Sequence, residues 1–172
     1  MSDITPDAKD WTWVITQPCP DCALNAASVE YDEIPGRIRD NAASWVEVLA
    51  RPDVRDRPQP GVWSPLEYAC HVRDVFVLFD QRLVRMLTED DPLFANWDQD
   101  ETAVQEKYAE QDPVVVAQQI PPAAEQLATR FAQVTDRARV GGRSDGAVFT
   151  IESFARYLLH DPVHHLHDVQ RA

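Results

Sequence analysis

Residues 157–168 read Tyr-Leu-Leu-His-Asp-Pro-Val-His-His-Leu-His-Asp and hold four of the chain's five histidines. The histidines are interleaved with Leu158, Leu159, Val163 and Leu166, unlike the uninterrupted run of a purification tag. Apolar residues at that spacing specify an amphipathic helix with one face in a core. Polar groups carried into a core need partners, and a metal can supply them. Helical positions advance about 100° per residue, so His164 lies roughly 40° from His160, His167 roughly 20° away on the other side, and His165 roughly 140° away. The fifth histidine, His71, falls on the inner part of another amphipathic stretch. Two imidazoles four residues apart, with a third from a neighbouring helix, make a face for a divalent metal with open coordination positions. The pattern therefore nominates His71, His160 and His164 as ligands, and sends His165 to the opposite side.

The remaining helices follow from local signals. Ser64-Pro65-Leu66-Glu67 is the clearest start: Ser64 fits an N-cap, Pro65 the first helical position, and Glu67 closes a capping box. That helix runs to about Thr88 and places His71 near its second turn. An earlier helix begins near Pro35, carries Ile34, Ile38, Trp45, Val48 and Leu49 on one stripe, and ends before Pro52. A third starts at Asp112-Pro113, is expected to break at Pro121-Pro122, and resumes through Leu127, Phe131 and Val134. The histidine helix starts near Thr150 and is expected to kink at Pro162. A short helix over 102–110 and a turn or hairpin over 141–146 complete the body. Four main helices without a strand series predict an all-α fold, a four-helix bundle over residues 35–172. Residues 1–34 read as an irregular arm anchored by Trp11, Trp13, Val14 and Ile15.

Charge and composition exclude several partner classes. A net charge of −13 opposes nucleic acid and anionic membrane, because phosphate surfaces call for clustered Lys and Arg. No run approaches the roughly 18 apolar residues of a membrane span, and the first residues lack a signal peptide's basic and apolar regions. A cytoplasmic protein acting on a small molecule is expected. Cys19-Pro20-Asp21-Cys22 has the spacing of half a zinc ribbon or of a redox pair, and equally of ordinary reduced thiols. Cys70 cannot easily join His71 on one metal, since helix neighbours point about 100° apart. Residues 89–101 form an acidic loop in which Trp97 offers a stacking surface and Asp98 or Asp100 polar contacts, or which simply connects two helices.

Two stretches, Trp63-Ser64-Pro65-Leu66-Glu67-Tyr68-Ala69-Cys70-His71-Val72 and His160-x-x-x-His164-His165-x-His167, resemble the DinB-like superfamily, which includes the mycothiol-dependent maleylpyruvate isomerase N-terminal domain and bacillithiol transferases. The resemblance spans residues 35–172. It implies a four-helix bundle with an unusual connection order, often dimeric, and a divalent metal such as zinc or nickel on His71, His160 and His164. It further implies activation of a low-molecular-weight thiol of the mycothiol or bacillithiol class for transfer or isomerisation. The chain departs from the pattern in its Cys19/Cys22 arm, in Pro162 between the two helix histidines, and in His167 and Asp168, which extend the polar face.

In the expected chemistry the metal acts as a Lewis acid and lowers the pKa of a bound thiol. His167 or Asp168 would orient a ligand imidazole or move a proton, and Trp97 and Asp98 would contact the cofactor. Two rival readings use the same site: a metal-dependent hydrolase with Asp98, Asp100 or Asp168 as general base, and a non-enzymatic metal or ligand sensor.

Overall fold

A computed structural model describes residue 4 and residues 10–171 of the chain. Four long helices dominate: α1 (Ile34–Leu49), α2 (Pro65–Thr88), α4 (Pro113–Ala132) and α5 (Ile151–Arg171), with the short α3 (Gln99–Gln105) between the second and third of them. The start of α2 follows its sequence signal. Ser64 accepts a hydrogen bond from the Glu67 amide, and the Glu67 carboxylate accepts from the Ser64 amide at 2.8 Å. Thr150 likewise receives the Ser153 amide at 3.1 Å where α5 begins.

Around the bundle the order is α1, α4, α2, α5: α4 and α5 each pack against both α1 and α2, whereas α1 and α2 meet only slightly. The first two long helices, α1 and α2, thus stand diagonally across the core, as do the last two, α4 and α5, while α2 and α4 lie side by side. Each apolar stripe is buried between two neighbours, with Trp45, Phe76, Phe131 and Phe154 fully enclosed.

Two expectations need correction. Helix α4 runs unbroken through Pro121 and Pro122. The two prolines are exposed, so the carbonyls they leave without an amide donor can turn to water, while buried Ile120 and Ala124 hold the helix on the core. The fold is also not purely helical. Strands β1 (Leu93–Phe94), β2 (Val140–Arg143) and β3 (Val148–Thr150) form a small sheet, with β1 parallel to β2 and β2 antiparallel to β3. Strands of two to four residues are too short to register as an alternating pattern. Gly141 is required there, because a Cβ would come within 2.8 Å of the Phe94 ring. Helix α5 continues through Pro162, whose carbonyl accepts a bond from Asn41 Nδ2 at 3.0 Å.

Among its described residues the arm holds three 3-10 turns, at Thr12–Ile15, Ala26–Ser28 and Tyr31–Glu33. It is tied down by buried Val14, Cys19, Ala26 and Val29. Of its expected anchors, Val14 is buried, while Trp11, Trp13 and Ile15 are partly so. No helix among the described residues is long and apolar enough to cross a membrane.

Candidate metal centre

Helix α5 carries two overlapping i, i+4 pairs, His160 with His164 and Asp161 with His165. Offset by one residue, they point about 100° apart and meet different neighbours. The Asp161/His165 pair faces α2. His71 Nε2 lies 3.3 Å from Asp161 Oδ1 and 3.5 Å from Oδ2, and His165 Nε2 lies 3.9 Å from Asp161 Oδ2. The His160/His164 pair faces the arm, where Cys19 Sγ approaches His164 Nδ1 at 3.5 Å. Donor atoms within each group, His71/Asp161/His165 and Cys19/Cys22/His160/His164, lie within 4.8 Å of one another.

The structure therefore does not bring His71, His160 and His164 together as expected. The helical wheel correctly turns His165 away from His160 and His164, but it does not say which neighbour that face meets. In the fold that face is the one turned to α2, so His165 is the partner of His71, their ring centroids 5.0 Å apart. Asp161 was passed over because only imidazoles were counted; its i, i+4 spacing to His165 is the signal that would have found it. Cys19 and Cys22, read as belonging to a separate arm, lie against α5.

Surrounding residues fix the site's geometry. His71 is fully buried, stacked on Trp97 at 5.3 Å with ring planes 8° apart, and packed by Trp63 at 5.4 Å. Trp97 thus spends a face on His71, while still edging the adjoining cavity. Asp98 caps α3, accepting the Glu101 amide at 2.8 Å. Asp168 Oδ2 lies 3.4 Å from His165 Nδ1 and 3.7 Å from His164 Nε2, so one carboxylate oxygen faces both imidazoles. His167 meets Arg171 at 3.2 Å, and among the described residues it does not border the cavity.

Electrostatics follow this arrangement. Burial would raise the Asp161 carboxyl, but the neighbouring His71 and His165 outweigh it and hold the pKa down at about 2. Burial, reinforced by His164, lowers His160 to about 4 and keeps it neutral. Asp168 is also held below its ordinary value: burial opposes ionisation, and the hydrogen bond with His165 and the nearby imidazoles more than offset it. Neutral imidazole and ionised carboxylate are the forms that ligate a cation.

A cleft of about 880 Å³ opens beside these residues. His160, Asp161, His164 and His165 reach its wall, with Trp63 and Tyr157 among the aromatics that line it. Arg143 Nη1 donates to the Tyr157 hydroxyl at 2.9 Å on the same wall.

Comparison with known proteins places the body in one family. The model of the DinB superfamily matches residues 36–169. No curated protein sequence matches the chain. Among solved structures, YfiT from Bacillus subtilis is similar, with a TM-score of 0.64 and 17% identity over 97% of this chain and 91% of that one. YfiT is described as a probable metal-dependent hydrolase with an unusual four-helix bundle topology. At that identity the likeness speaks to the fold.

Proposed function

The chain belongs to the DinB superfamily, and on that premise we propose that it is a metal-dependent hydrolase of small molecules, with His71, Asp161 and His165 holding one divalent cation. The observation that carries this reading is the approach of His71 Nε2 to Asp161 Oδ1 at 3.3 Å, while that buried oxygen has no hydrogen-bond partner among the described residues. Two donors each about 2.1 Å from a shared ion stand roughly 3.0–3.4 Å apart, so the pair has the spacing of one edge of a coordination shell. Two imidazoles and a carboxylate suit zinc and other borderline divalent ions, and three protein ligands leave a position for water.

When bound, such a cation supplies Lewis acidity and brings the pKa of water toward neutrality. The chain's own residues provide orientation. Trp97 and Trp63 hold the His71 ring, and Asp168 accepts from His165 Nδ1, which orients Nε2 as the ligating nitrogen on the side of Asp161. The Tyr157 hydroxyl accepts from Arg143 and keeps its own proton to donate into the cleft; burial raises its pKa and preserves that proton. The description of YfiT as a probable metal-dependent hydrolase supports the same class of chemistry.

The test pairs metal analysis with turnover of ester and amide panels, with and without low-molecular-weight thiols. His71→Ala, Asp161→Asn and His165→Ala should each remove one metal equivalent and abolish hydrolysis. Turnover that requires a thiol would move the assignment to a transferase or isomerase. Metal binding without any turnover would leave a binding protein.

A further inference from the structure

The Cys19-Pro20-Asp21-Cys22 segment folds as a tight loop: the Cys19 amide donates to the Leu24 carbonyl at 2.9 Å and the Ala23 amide donates back to the Cys19 carbonyl at 3.0 Å. Ala23 takes φ 60°, a left-handed turn immediately after the second cysteine. The loop sets both sulfurs beside His160 and His164, all four donors within 4.8 Å of one another. Both cysteines are free thiols. Cys19 is 1% exposed and His160 4%, and His160 Nε2 is buried without a hydrogen-bond partner among the described residues. Trp11 covers the pair, its ring 5.2 Å from that of His160 and 5.0 Å from that of His164.

We propose that Cys19, Cys22, His160 and His164 form a second metal site, a closed tetrahedral zinc site that clamps the arm to α5. Two thiolates and two imidazoles are a preferred donor set for structural zinc. With Zn–S near 2.3 Å and Zn–N near 2.05 Å, a tetrahedral angle separates sulfur from nitrogen by about 3.5 Å. Cys19 Sγ and His164 Nδ1 stand 3.5 Å apart. His164 Nε2 faces Asp168, the outer carboxylate that commonly orients a zinc-bound imidazole. Four protein donors complete the shell and leave no position for substrate, so this site is structural, whereas the His71 group has three donors, of which Asp161 and His165 line the cleft. The two sites share no ligand.

Cobalt(II) distinguishes them, because only the proposed site offers thiolates. Protein purified under reducing, anaerobic conditions should carry two zinc equivalents. After exchange into cobalt it should show thiolate-to-cobalt charge transfer with a tetrahedral ligand-field spectrum. The Cys19→Ser/Cys22→Ser variant should lose the charge-transfer band and one equivalent, while His71→Ala keeps the band and loses the other equivalent. A wild-type spectrum without thiolate charge transfer, or a band that survives the double serine change, overturns the proposal. Should the cysteine variant fail to fold, the wild-type protein decides. Cys19 and Cys22 should resist alkylation until a chelator strips the metal, and equal alkylation rates with and without chelator refute the site.

Discussion

Asp168 is the residue on which both donor groups converge, since a single oxygen faces His165 Nδ1 and His164 Nε2. Loss of its charge should loosen both imidazoles without removing a ligand. Asp168→Asn is therefore expected to keep full metal stoichiometry while weakening affinity about 10- to 100-fold, measured by competition with a coloured chelator. Unchanged affinity would show that the carboxylate orients neither ring. The residues of the two groups are visible in the sequence as a CxxC, a helix-borne His71 and a histidine-rich helix. Their pairing is not, because two i, i+4 pairs offset by one residue look alike until the rotation of α5 against its neighbours is known. Asp168, expected to orient an imidazole, faces two of them, whereas His167, close to the angle of His160 on the wheel, sits two turns further along and meets Arg171.

Among the helices, α2 shows how local chemistry places a functional side chain. Glu67 is 3% exposed and receives the Ser64 amide and the Arg57 guanidinium. Ser64→Ala should cost about 1 kcal/mol in denaturant unfolding. Burial pushes the Glu67 carboxyl up, but the bonds from Arg57 and Ser64 outweigh it and hold its pKa below the ordinary value. Its contribution is then complete above roughly pH 4.3, the usual glutamate value, and is lost as pH falls through the depressed one. Glu67→Gln should flatten that acid limb of the stability profile; an unchanged limb would assign it to other carboxylates. The α2 boundaries could be read from sequence because a capping box is a local signal. The continuity of α4 across Pro121-Pro122 could not, since it depends on which side of the helix faces water.

Across the whole molecule, Phe154 joins α5 to α2 and to the sheet, its ring 4.6 Å from Phe79, 6.2 Å from Phe94 and 5.9 Å from Phe149. Phe154→Ala should cost about 3–5 kcal/mol, seen as a lowered denaturant midpoint, because the enclosing rings cannot collapse into the cavity. A shift below 1 kcal/mol would mean that the sheet and bundle pack independently. The four long helices were legible from periodicity, but the diagonal placement of α1 against α2 and of α4 against α5 was not, since stripes do not name their partners. The contact between Cys19 and His164 spans 145 positions, which gives it a meaning in time as well as in space. During synthesis the arm emerges early and has to wait, its thiols unshielded, until α5 has cleared the ribosome. Closing so long a loop is slow compared with forming a helix. The nascent chain therefore passes through a period in which its cysteines are open to oxidants and stray metals, and the arrival of α5 ends that exposure.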